Sequence, residues 1–227
     1  MNEFSGARIA SLQVGQPRTY TDDSGRQRTS AICKSPVHGP VLLRRENLDG
    51  DRQANRKYHG GPDKAVCVYA SEHYGVWREE FAKPEQPFGS FGENLTTEGL
   101  TEEVVCIGDV WRAPSGAAIQ VCQPRTPCAN VSHFWNAATL PARMEETGFT
   151  GVYCRVLAEG ELNAGDALTL ADRPCPDWTI ARLNRAFYTR ATDARATDVV
   201  KAERRAIIAL EPPLSPEYVT LLQKVGV

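Results

Sequence analysis

No stretch of this chain approaches the roughly 18 consecutive apolar residues that a membrane-spanning helix needs, so a membrane partner is not expected. A basic excess is missing too. Lys and Arg number 26 against 28 Asp and Glu, a formal net charge of −2, whereas a nucleic-acid binder needs surplus cations to grip phosphates. Paired cysteines are also absent: seven occur, an odd number, and no two share a Cys-x-x-Cys spacing. That disfavours a structural zinc site or a disulfide framework and fits free thiols in a reducing cytoplasm. Met1 to Gly6 has neither the basic start nor the apolar core of a secretory leader, so none is expected. Finally, no Gly-x-Gly-x-x-Gly follows a strand and no iron–sulfur cysteine cluster occurs, which leaves no redox centre of those kinds.

What is present is ordinary for a globular chain, with 41% hydrophobic and 24% charged residues over a length of 227. That length suits one large β domain, or one domain with a small appendage. Up to Leu43 the pattern is of short strands divided by polar turns, with alternation from Ile9 to Val14 and further strands over Thr29–Lys34 and Val37–Leu43. A buried strand is expected over Ala65–Tyr69, followed by a helix from Ser71 to Phe81 whose apolar stripe is Tyr74, Trp77 and Phe81. Gly108-Asp109 marks a turn into a strand at Val110–Arg112, and another strand covers Ala118–Cys122. A short helix over Pro141–Thr147 and strands over Gly151–Leu157 and Ala167–Leu170 complete a β domain of residues 1–173, of barrel or sandwich type.

The chemistry concentrates in three places. Gln123-Pro124-Arg125-Thr126-Pro127-Cys128 is a loop stiffened by two prolines, and it delivers a guanidinium and a thiol to the end of a strand. A permanent cation beside a thiol favours the reactive thiolate, although free cysteines are more often small buried packing groups, and on local chemistry alone the packing reading of Cys128 outweighs the reactive one. The second place is Arg44–Lys64, rich in cations that include Arg52 and Lys57 and ending in His59-Gly60-Gly61-Pro62-Asp63. A Gly-Gly pair leaves backbone N–H groups bare for an anion; a solvated loop of balanced charge is the plainer reading. The third is the Gly-rich turn Phe88–Leu95, where Glu93 and Asn94 offer a carboxylate and an amide side by side, able to read a heterocycle's edge.

From Pro174 the period changes to that of helices. Thr179 caps one, a second spans about Ala194–Leu210, and a third runs from Ser215 and Pro216 to Lys224. This unit, residues 174–227, carries eight Lys/Arg and six Asp/Glu, too weak a surplus for a DNA-binding module. It is too small to hold much core alone, so it packs on the β domain or on a second copy of the chain, as in a homodimer.

Taken together, Gly50–Ala54, His59–Val66, Tyr69, Glu72–Tyr74, Trp77, Phe91–Leu95, Gly108-Asp109 and Gln123–Cys128 resemble the MOSC domain, and within it the YiiM-like group. That group is linked with resistance to N-hydroxylated purine analogues and also carries a C-terminal three-helix domain. The resemblance implies a β-barrel-like MOSC domain holding a molybdenum cofactor (molybdopterin), with the thiolate of Cys128 as metal ligand. It places Arg125 and His59 with Cys128 as catalytic residues, and Gly60, Gly61, Asp63, Glu93, Asn94, Arg52 and Lys57 around the cofactor. The implied reaction is reduction of an N-hydroxylated base, with electrons from a separate reductase. Relatives often follow the motif cysteine with an aromatic residue and a lysine, where this chain has Ala129-Asn130-Val131, which implies a more open pocket. Two other classes remain beside the reductase. One is a sulfur-carrier or cofactor-handling module with a persulfide on Cys128; MOSC domains are also associated with pyridoxal phosphate chemistry. The other is a purely structural β domain with an interaction bundle.

Overall fold

The computed structural model describes residues 6–21, 25–56, 59–190, 194–211 and 214–227. Six strands come first: β1 (Arg8–Val14), β2 (Arg18–Thr21), β3 (Gln27–Ser30), β4 (Ser35–Pro36), β5 (Val41–Arg44) and β6 (Asn47–Leu48). A 3₁₀ turn at Pro62–Lys64 leads to β7 (Val66–Ala70), α1 (Glu72–Glu80), β8 (Leu95–Glu98), β9 (Val110–Arg112) and β10 (Ala118–Pro124). Next are α2 (Ala129–Trp135), α3 (Leu140–Thr147), β11 (Val152–Ala158), β12 (Gly160–Leu162) and β13 (Thr169–Asp172). Helices α4 (Ile180–Tyr188), α5 (Ala194–Ile208) and α6 (Pro216–Lys224) end the chain.

Eight strands form one sheet in the order β13-β9-β10-β11-β7-β8-β1-β4. All its pairs are antiparallel except β7 with β8, which α1 connects as a crossover. The expected barrel does not close. Near Arg8 the chain meets the segment leading to β13 through a single bridge to Ala167, with backbone bonds such as Leu168 N–H to the Ala7 carbonyl at 2.8 Å. Two or three bonds at a crossing are not a ladder, and the two-residue β4 covers the outer edge of β1 instead. The fold is therefore mixed α/β around a large open sheet.

The strands expected over 29–34 and 37–43 are shorter than their composition promised. Ala31 to Lys34 leave the ladder between β3 and β4, and β5 begins only at Val41. Helix α1 buries Tyr74 and Trp77, as its stripe requires, among Tyr69, Phe91, Trp135 and Met144. Helix α2 was not anticipated. It starts directly after the Arg125–Cys128 loop and buries Val131 and Trp135, four residues apart on one face. In the main core, Ile180, Leu183, Tyr218 and Leu222 of α4 and α6 join Ile119, Val121 and Val156 of the sheet, so the helices pack on the sheet. Thr179 caps α4 through the Arg182 N–H at 3.2 Å, and Ser215 caps α6 through the Tyr218 N–H at 3.1 Å, as their positions in the sequence indicate.

Candidate functional site

Strand β10 carries the site. Its pairing with β11 slips between Val121 and Gln123, so Cys122 is the extra residue of a bulge, a device that re-aims the side chains beyond it. The Cys122 thiol turns into the fold, donating to the carbonyls of Asp63 (2.9 Å) and Tyr153 (3.3 Å). Burial pushes its pKa up to about 12, so it stays a neutral packing thiol. Cys128, at the end of the loop, is half-buried and heads α2.

The two thiols have different surroundings: the loop that ends in Cys128 faces a cavity, and Cys122 is not on its wall. That cavity, of about 480 Å³, is walled by the loop residues Arg125 to Cys128 and by Arg52, His59, Gly60, Lys64, Cys67, Asn94, Tyr153 and Glu217. Thr29 and Ser30 at the end of β3, with Ala31, Ile32 and Lys34 of the stretch that left the ladder, form another side. The size falls in the usual range for small-molecule sites.

Arg125 dominates the electrostatics. It is 4% exposed, and its Nη1 has no hydrogen-bond partner among the described residues. Burial opposes its charge, but Cys67, Tyr153, Cys128 and Glu93 around it outweigh that, and it is held firmly protonated. A buried guanidinium with an idle donor is costly unless a ligand completes it. His59 feels the opposite push: burial first, then the charges of Arg125 and Lys64, lower its pKa. Lys34 is occupied by Asp51 at 2.8 Å and Lys64 by Glu217 at 2.6 Å.

The structure thus brings together Cys128, Arg125, His59, Gly60, Asn94 and Arg52 on one cavity, and Gly61, Asp63 and Glu93 lie off its wall. Lys57 lies outside the described residues. Glu93 cannot read a heterocycle: its wholly buried carboxylate accepts from the Tyr74 hydroxyl (2.5 Å), Gly89 N–H (2.7 Å), Phe91 N–H (3.1 Å) and Thr96 hydroxyl (2.8 Å). It organises the Gly-rich turn. Asn94 is spent likewise, its Oδ1 accepting from Cys67 N–H at 3.2 Å, although the residue touches the cavity. Asp63 pairs with Arg155 at 2.8 Å. Lys34, Lys64, Cys67, Tyr153 and Glu217 were missed. They come from four separate parts of the chain, and of them only Lys64 lies in a stretch that the sequence singles out.

An anionic group bearing a soft metal fits these donors: a half-buried thiol, a buried guanidinium whose Nη1 lacks a partner among the described residues, and further cations around one cavity. At Gly60, φ is +80° and an added Cβ would stand 2.7 Å from Oε1 of Gln53, itself on the wall, so backbone rather than side chain faces the cavity there.

Comparison with known proteins shows the family. The MOSC domain profile matches residues 55–169. A Bacillus subtilis (strain 168) protein called YflK is 42% identical over 86% of this chain and 87% of its own length. The crystal structure of YiiM from Geobacillus stearothermophilus superposes with a TM-score of 0.76 at 35% identity, covering 96% of this chain and 98% of that one. A protein from Gibberella moniliformis (strain M3125 / FGSC 7600), named a reductase, is 34% identical over 79% of this chain but only 32% of its own longer sequence.

Proposed function

The chain belongs to the MOSC domain family, in its YiiM-like group, and from that premise we propose that it is a molybdenum-cofactor-dependent oxidoreductase that reduces N-hydroxylated bases. One observation carries the proposal above others: the buried Arg125 guanidinium, with Nη1 unpartnered among the described residues, shares a wall with the half-buried Cys128 thiol. Cys128 would ligate the metal through sulfur. Arg125, Arg52 and Lys64, with the backbone at Gly60, would hold the pterin and its phosphate. When bound, the cofactor supplies the two-electron chemistry by which an N-hydroxyl compound and two protons become an amine and water.

This chain's residues prepare the ground for that chemistry. Pro124 and Pro127 hold the loop, so Cys128 and Arg125 keep their relation without further ordering. His59, kept neutral by burial and by neighbouring cations, can take up a proton at its free ring nitrogen and, as the imidazolium, hand it on to a substrate in the cavity. The electrons come from a separate reductase.

Protein made in a host that synthesises the cofactor is expected to hold molybdenum and pterin in equal amounts. It should then reduce an N-hydroxylated purine with a viologen radical as electron donor. Sulfane sulfur on Cys128 with no metal would overturn the proposal in favour of a sulfur carrier.

A further inference from the structure

Among the described residues of the cavity wall, Lys34, Arg52, Lys64 and Arg125 carry permanent cations, and a single carboxylate faces them, that of Glu217. It comes from the far end of the chain, on α6. Ser215 places it. The Ser215 hydroxyl donates to Gln123 Oε1, and its N–H donates to the Cys122 carbonyl at 3.1 Å. Helix α6 therefore starts pinned to the strand that runs into the Arg125–Cys128 loop, with Glu217 in its first turn.

Glu217 Oε2 lies 2.6 Å from Lys64 Nζ, and the two side chains are 48% and 9% exposed. Lys64 also sits 5.3 Å above the Tyr153 ring. The partners would fare differently on separation. Glu217 turns to water at little cost, whereas Lys64 stays in the wall and is best served by another anion. Lys34 makes the contrast. Its partner Asp51 has no exposed side chain and is fixed further by the Gly15 N–H at 2.7 Å, so that pair does not open toward a ligand.

We propose that Glu217 is a built-in counter-anion that competes with ligand phosphate for Lys64, so that α6 sets how tightly the cavity holds phosphate-bearing ligands. The inference rests on reading the cavity as the site of an anionic cofactor. On binding, the Lys64 ammonium exchanges a carboxylate oxygen for a phosphate oxygen, and Glu217 moves into solvent; no covalent bond changes.

The test titrates inorganic pyrophosphate calorimetrically into the full chain purified free of cofactor. The variants are Glu217→Gln, Lys64→Met and the double change, with Glu98→Gln as charge control, since Glu98 pairs with Arg8 in an exposed pair off the cavity wall. Glu217→Gln is expected to tighten pyrophosphate about fivefold, the scale of one partly exposed ion pair, and Glu98→Gln to leave it unchanged. In the Lys64→Met background the Glu217→Gln gain should vanish. Weaker or unchanged binding in Glu217→Gln overturns the inference, as does an equal gain in Glu98→Gln; neither comparison requires the Lys64 variant to fold. Absence of pyrophosphate binding in every variant overturns it as well. Molybdenum and pterin assayed on the same proteins from a competent host separate the two claims. A Glu217→Gln gain in a chain that never takes up molybdenum upholds the counter-anion and removes the cofactor reading.

Discussion

Arg125 hangs from Gly151: its backbone N–H donates to the Gly151 carbonyl at 3.0 Å. Gly151 in turn donates its N–H to Glu102 Oε1 at 2.7 Å, and the other carboxylate oxygen of Glu102 lies 2.5 Å from His73 Nε2 on α1. The His73 ring stacks on Phe149 at 3.9 Å. From the other side, Asn184 on α4 donates to the Gly148 carbonyl and to the Thr150 hydroxyl, each at 2.9 Å. The turn before β11 is thus clamped between two helices, and the site's central cation is suspended from it.

Gly151 has φ +75°, and an added Cβ would stand 2.6 Å from the Val68 carbonyl oxygen, which is rigid strand backbone. Gly151→Ala is expected to destabilise the fold by about 3 kcal/mol, from strain and displaced packing together. A shift of the urea midpoint with unchanged slope checks this; a shift worth under about 0.5 kcal/mol would show that the turn yields.

Removing one side of the clamp should also be felt. Glu102→Ala leaves the buried His73 without its partner and Gly151 N–H without its acceptor, an expected loss of about 3–5 kcal/mol. Asn184→Ala removes two bonds from α4 and should cost about 2 kcal/mol. If both variants unfold at the wild-type denaturant concentration, the clamp contributes nothing.

Cys128→Ser should fold as the wild type does, because loop shape comes from Pro124 and Pro127, yet lose molybdenum and turnover, since a hydroxyl is a hard and weakly acidic ligand. Cys122→Ser is the internal control. Its thiol is buried and bonded to two carbonyls, so stability should fall while metal per folded chain is kept. Full metal content in Cys128→Ser would remove the assignment. Metal lost only from Cys122→Ser would mean that the other thiol is the ligand.

His59 provides a pH signature. Its pKa is lowered in the folded chain by burial and by Arg125 and Lys64, from a reference value of 6.5. The unfolded chain therefore binds the proton first, and stability is lost as pH falls from 6.5 through the lower folded value. Urea midpoints measured between about pH 7.5 and about pH 5.5 should decline, and His59→Gln should flatten that decline. Pyrophosphate in the cavity, by offsetting the neighbouring cations, should flatten it too. A slope that His59→Gln leaves intact would assign the effect to another group.

Local pattern determined a good deal about this protein. The aromatic stripe of α1, the caps at Thr179 and Ser215 and the stiff loop ending in Cys128 all depend on residues within a few positions of one another. Such short-range rules act before the chain knows its fold. Where the chain leaves those rules, tertiary structure decided. The sheet stays open because β1 and the segment before β13 meet at a single bridge, a matter of how distant strands cross. Glu93, which composition offered as a ligand group, is taken up by four donors that the folded turn gathers around it. Glu217 reaches the cavity only because Ser215 bonds to Gln123, across 92 positions of chain. A carboxylate's role depends on what surrounds it, and for both residues those surroundings are assembled by folding.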